Sequence, residues 1–192
     1  MIFASFTANA QIWLGGEIGL STNKTTLGSD YLNSSASIAI TPEVGYRLND
    51  RWAVALRLGY NHLRNHEVQL IDITVTGNCN QLSVEPFARY TILRANTIAL
   101  FIDGGIHYSA LYKYGYDSPL NNFGIGIRPG VSLALSNTVS LVGHLGNMGY
   151  DYSWMKYRGN ADWIPKQGKT LKDHAFNFQL LGNVCFGANI CI

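Results

Sequence analysis

Charge is scarce in this chain. Asp, Glu, Lys and Arg make up 14% of its 192 residues, against about 25% in soluble globular domains. Net charge is only +2, and Lys and Arg are scattered along the sequence. Without a basic run or a nucleic-acid motif, a nucleic-acid partner is not expected. No apolar run approaches the ~18 residues of a membrane-spanning helix, and sustained helical periodicity is missing. Cysteine is limited to Cys79, Cys185 and Cys191, with no spacing suited to a metal. Cys185 and Cys191 fall on one strand-like segment, ~20 Å apart at ~3.3 Å per residue. A disulfide tolerates a Cα separation of no more than ~7 Å. Three free thiols are therefore expected, with Cys79 alone in a loop, and neither a cofactor nor a metal is expected.

What the chain does contain is alternation. Hydrophobic residues are 47%, aromatics 12% with 11 Tyr, and there are 20 Gly. Apolar and polar positions alternate over eight segments, 11–22, 36–48, 52–64, 80–93, 97–112, 121–135, 139–152 and 174–190, each read as a strand. Three connections are tight and polar: Asn49-Asp50-Arg51, Arg94-Ala95-Asn96 and Ser136-Asn137-Thr138. Four are longer, at 23–35, 65–79, 113–120 and 153–173. TPEVGYRLN at 41–49, EPFARYTIL at 85–93 and RPGVSLALS at 128–136 repeat a proline followed by apolar residues four and six positions on. Pro42, Pro86 and Pro129 are 44 and 43 residues apart, the length of one hairpin plus its connection. The repeat predicts an all-β, up-and-down antiparallel meander over 11–192. Proline inside a strand further predicts a bulge or kink at each of the three positions.

In four runs, charge is confined to one strand parity. Glu17-Ile18-Gly19, Arg57-Leu58-Gly59, Asp103-Gly104-Gly105 and His144-Leu145-Gly146 each place an ionisable group two residues before glycine. Successive strand residues face opposite sides. One face therefore carries Glu17, Glu43, Arg47, Arg57, Glu85, Arg89, Asp103, His107, Arg128 and His144, interspersed with glycine, and the other carries Ile, Leu, Val and aromatics.

If the apolar face formed a soluble core, the exterior would be mostly glycine and small residues. Soluble surfaces carry roughly 25–35% charged residues. If the apolar face is outermost instead, its solvent is hydrocarbon and the ionisable groups line a lumen. Eight strands enclose an interior that side chains just fill. Buried ions require partners, and four carboxylates match four guanidinium groups, with two imidazoles left over. This expectation is an inside-out, eight-stranded transmembrane β-barrel, with Arg57 pairing Glu43 or Asp103.

The aromatic positions fit the same arrangement. Tyr46, Trp52 and Tyr90 lie near the tight turns, and Tyr60, Tyr108, Tyr112, Tyr150 and Tyr152 near the long connections. Tyr and Trp concentrate at membrane–water interfaces, so these two groups are expected to form girdles. Residues 1–10, MIFASFTANA, read either as the remainder of a signal peptide, with Ala8-Asn9-Ala10 as its small-residue end, or as a disordered N-terminus.

The segments TPEVGYRLNDRWAVALRLGY at 41–60, EPFARY at 85–90, FIDGGIHY at 101–108 and FGIGIRPGVSLALS at 123–136 resemble the eight-stranded outer-membrane β-barrels of Gram-negative bacteria. These are often called the porin family, and the likeness is to small OmpA/OmpX-type barrels of the Bacteroidetes kind. It covers about 11–192. It implies an outer-membrane protein with termini and tight turns periplasmic and long loops extracellular. It also implies lipid and lipopolysaccharide as surroundings, the outer-membrane assembly machinery as a partner in biogenesis, and a monomer. Such barrels usually end on an aromatic residue, whereas this chain ends Asn189-Ile190-Cys191-Ile192.

The function expected is non-enzymatic, with a side-chain-filled lumen and loops for surface interaction or envelope structure. A lipid A deacylase using His107 and Ser109 is one alternative, a small pore another. A soluble lipocalin-like binding barrel is a third.

Overall fold

The computed structural model describes residues 12–27, 30–70, 73–113, 118–156 and 170–191, with the backbone alone at 21–27, 30–34, 65–70, 73–76, 171 and 179–186. The N-terminal segment 1–10 lies outside them. Eight strands form one closed antiparallel barrel in sequence order. They are β1 (Ile12–Leu27), β2 (Asp30–Arg47), β3 (Trp52–Leu70), β4 (Ile73–Ala95), β5 (Ile98–Lys113), β6 (Leu120–Ala134), β7 (Val139–Lys156) and β8 (Thr170–Cys191).

The strands outrun the sequence reading at one end. The described residues of segments 23–35 and 65–79, expected as loops, are ladder: β1 pairs with β2 as far as Leu27↔Asp30, and β3 with β4 as far as Leu70↔Ile73. Cys79, expected in a loop, is a buried β4 residue. Polarity alternates only where oil covers one face. In these segments that alternation fades, while Thr25, Thr26, Val68, Val75 and Thr76 keep their β-branched strand preference. A tilted strand of ~9–11 residues is enough to cross a membrane; these have 15 to 23.

At the other end the turns are tight, and short polar side chains fasten two of them. Asn49 Oδ1 accepts from the N–H groups of Arg51 and Trp52, both at 2.9 Å. Ser136 Oγ accepts from Thr138 N at 3.2 Å and Val139 N at 3.0 Å. Between β4 and β5, Asn96 takes a positive φ of 48°, a conformation Asn tolerates better than most residues.

Each repeated proline interrupts one ladder and leaves the other intact. Pro42 pairs with Gly16, Pro86 with Leu56 and Pro129 with Ile102, all on the preceding strand. Toward the following strand, pairing skips Thr41–Pro42, Glu85–Pro86 and Arg128–Pro129. Only the third break shifts the register, between Ile127 and Gly130. The extra β7 residue there lets His144 face inward and Tyr150 outward although both are even-numbered.

Outward positions form an apolar belt. On β3, Trp52, Val54, Leu56, Leu58 and Tyr60 are exposed, while Ala53 and Arg57 are buried. The path from Trp52 to Tyr60 is ~26 Å at ~3.3 Å per residue. Strand tilt shortens it to ~20 Å, and the girdle rings extend it toward the ~25 Å apolar band of outer-membrane barrels.

Candidate functional site

Inside the barrel, residues of β1–β7 bring acids and arginines together. Arg57 Nη2 lies 2.7 Å from Glu43 Oε2 and 3.8 Å from Asp103 Oδ2, and its Nη1 lies 3.2 Å from Glu85 Oε2. Arg89 grips Asp103 with two parallel bonds, Nε–Oδ1 at 2.7 Å and Nη2–Oδ2 at 2.8 Å. Arg128 pairs with Glu85. His144 joins the two acids nearest it, Nδ1 to Glu17 Oε1 at 2.7 Å and Nε2 to Asp103 Oδ2 at 2.9 Å. Both partners of the Arg57 expectation are thus within reach, and Glu85 is a third. Arg57 and Asp103 retain 4% and 2% exposure; ions so withdrawn from water need this many partners.

One member departs from the expected set. Arg47 sits at the turn-side mouth with Arg94 and takes no part in the ion pairs among the described residues. It is the last residue of β2, where water is within reach. The group that takes its place is His144, whose two ring nitrogens both meet carboxylates, Glu17 and Asp103.

Aromatic rings, absent from the expected set, complete the core. Trp13, Phe87 and Phe101 are buried and share the odd parity of Glu17, Glu85 and Asp103 on their own strands. Each stands directly opposite a glycine: Trp13↔Gly45, Phe87↔Gly105 and Phe101↔Gly130. The Trp13 ring occupies the space a Cβ at residue 45 would need. Its Nε1 donates to Glu43 Oε1 at 2.9 Å. The Arg57 guanidinium lies 4.7 Å from the Phe87 centroid, and that of Arg89 lies 4.0 Å from Phe101. Delocalised guanidinium groups suit such stacking. Parity could have found these rings; attention to charge alone passed over them.

His107 and Ser109 are also inward, but they do not meet. His107 Nε2 contacts Asp151 Oδ1 at 2.8 Å and Asn122 Oδ1 at 3.0 Å. Ser109 Oγ accepts from Gln81 Nε2 at 3.1 Å. The acidic partner of His107, not foreseen in the sequence, is therefore Asp151.

A closed eight-stranded barrel with an apolar exterior and paired charges inside matches one family. The outer membrane protein beta-barrel domain fits residues 1–181 of the chain. The chain belongs to this family. Its fold is shared by the outer membrane protein OprG from Pseudomonas aeruginosa, at 11% identity and a TM-score of 0.58, covering 95% of this chain and 96% of that one. Neisserial surface protein A (NspA) is also similar, at 15% identity and a TM-score of 0.47, covering 96% and 98%. No curated protein matches the chain in sequence. Family membership makes this a bacterial outer-membrane barrel.

The two aromatic groups lie toward opposite ends of the barrel. Near the tight turns, the Trp52 and Tyr90 centroids are 4.8 Å apart, Tyr90 Oη accepts from Arg51 at 3.3 Å, and Tyr46 points outward. At the other end, Tyr60 donates to Asn80 at 3.1 Å, Tyr108 donates to Asn121 at 2.7 Å, and Tyr150 bonds His174 at 2.6 Å. Tyr152 stacks on Trp154 at 5.4 Å, and Tyr112 is exposed on β5. Trp154 and His174 were not anticipated as members. Cys79 and Cys191 are free.

Proposed function

We propose that the protein is a non-enzymatic integral outer-membrane barrel whose lumen is closed by its own side chains. The observation that carries this reading is the Arg57–Arg89–Asp103 cluster, spread over β3, β4 and β5 and joined through His144 to β1 and β7. Solutes would have to break several buried ion pairs to pass. The contrast between tight turns at one end and projecting hairpins at the other follows the outer-membrane pattern of periplasmic turns and extracellular loops. The termini and tight turns then face the periplasm, and the hairpins, with the Tyr60–Tyr108–Tyr150 girdle at their base, face outer-leaflet lipopolysaccharide. The barrel acts as a rigid monomeric mount for surface interaction or envelope structure, and the assembly machinery meets it during biogenesis.

Single-channel recording from protein reconstituted in planar bilayers tests this reading. A closed lumen gives no discrete conductance steps above the bare membrane. Stable steps in wild type, enlarged in Arg89→Ala, would overturn it and favour a small pore.

A further inference from the structure

The barrel is not evenly sewn. Among the described residues, the β1–β8 ladder runs from Trp13↔Cys191 to Glu17↔Gly187 and stops, although β1 continues to Leu27 and β8 begins at Thr170. On its other side β8 loses register with β7 at the same level, stepping from His144↔Cys185 to Gly146↔Leu180. Residues 181–184 thus have no β7 partner. The apolar side chains flanking this gap are unusually bare. Ile18, Leu20, Phe176 and Phe178 are 71%, 76%, 69% and 65% exposed, against 38–59% for the other exposed large apolar residues.

A chamber of about 340 Å³, walled mostly by β6 and β7, reaches the edge of the gap at Glu17 and is lined by Glu85, His107, Arg128, His144 and Asp151 among others. Its wall includes Glu17, where the β1–β8 ladder ends, and Gly146 and Asn147, where β7 loses step with β8. The paired-charge cluster closes its turn side. Toward the hairpins come the bonds Gln81–Ser109 and Asn122–Ser153, then buried Leu63, Cys79 and Met155.

Unpaired strand edges do not persist against hydrocarbon unless they line a polar cavity. We propose that the β1–β8 gap is a lateral portal through which a single-chain zwitterionic lipid enters from the bilayer, its headgroup seated in the chamber and its tail leaving between Ile18/Leu20 and Phe176/Phe178. The portal goes beyond the closed-lumen reading and needs only the outer-membrane barrel. The chamber volume is in the ~300–1,000 Å³ range of ligand pockets. Its lining fits a head bearing both signs. Arg128, already beside Glu85, has further donors for a phosphate, and Glu17 and Asp151, each meeting one histidine, have further oxygens for an ammonium. The four apolar residues at the rim serve one acyl chain.

The test uses the full chain in lipid nanodiscs and lysophosphatidylcholine carrying a diazirine on its headgroup, with adducts mapped by mass spectrometry after irradiation. Expected are adducts on peptides holding Glu17, Glu85 and Asp151, reduced at least fivefold when the portal is blocked. One block is Leu20→Trp. A second is a Gly19→Cys bridge to Cys185, which a continued ladder would place opposite, made with Cys79→Ser and Cys191→Ser. Adducts confined to the outer belt, or chamber adducts indifferent to both blocks, would overturn the proposal. Amide exchange reads the gap without any ligand: alternate amides beyond Glu17 on β1 should exchange at least tenfold faster than those of Trp13–Glu17. Equal protection would also overturn it. Conductance, which tests closure of the lumen, is independent of both readouts.

Discussion

Arg89 holds Asp103 across the β4–β5 ladder through two parallel bonds of 2.7 and 2.8 Å, while its guanidinium face rests 4.0 Å from the Phe101 ring. The two residues are directly paired in register, so the grip is built into the sheet. Asp103 also takes His144 at 2.9 Å, which makes this carboxylate the junction between β4, β5 and β7.

Removing Arg89 alone leaves Asp103 short of its principal partner. Arg89→Ala should destabilise by about 3–5 kcal/mol, the cost of an uncompensated buried charge. Urea titrations of folding into vesicles measure it. A double-mutant cycle with Asp103→Asn should show a coupling of ~0.5–3 kcal/mol; additive losses would mean that the pair does not act as a unit.

The outer belt predicts the opposite sensitivity. Leu56 is an exposed residue between Trp52 and Tyr60 on the outward face of β3. Leu56→Arg should cost ~2–4 kcal/mol near mid-bilayer in the same titration. A neutral substitution there would reverse the assignment of faces.

Glycine opposite an aromatic ring predicts a rescue. Gly45→Ala puts a methyl group where the Trp13 ring lies, and overpacking of this kind costs about 1–3 kcal/mol. In a Trp13→Ala background the same change should cost much less. An unchanged penalty would show that the ring is not what requires glycine.

His107 and Ser109 predict an inert surface toward lipid A. Purified barrel incubated with lipopolysaccharide should release no fatty acid, because Ser109 Oγ is engaged by Gln81 while His107 contacts Asp151 and Asn122. Release abolished by Ser109→Ala would restore the enzyme reading.

Much of the fold was legible because oil imposes period two. Where a strand crosses the bilayer, Ile, Leu and Val must alternate with the lumen residues, and both faces could be assigned from residues such as Leu56 and Arg57. The same signal vanished at 23–35 and 65–79, where no oil selects one face. Ion-pair partners were only half legible. Parity sends Arg57 and Glu85 inward, but the shear of the barrel decides which acids they meet. The β7 register shift, which reconciles His144 inside with Tyr150 outside, carries no composition mark except a nearby Pro129. Arg47 obeys the parity rule yet stands too close to the mouth to join the cluster.

Bromolipid quenching of single-tryptophan variants tests directly which face of the barrel meets the bilayer. One variant keeps only Trp13; the other carries its only tryptophan at Leu56→Trp. In vesicles of mid-chain dibrominated lipid, the residue-56 indole should be quenched several-fold more strongly than Trp13, which lies buried against Gly45 and Glu43. Equal quenching, or stronger quenching of Trp13, would contradict the inside-out barrel.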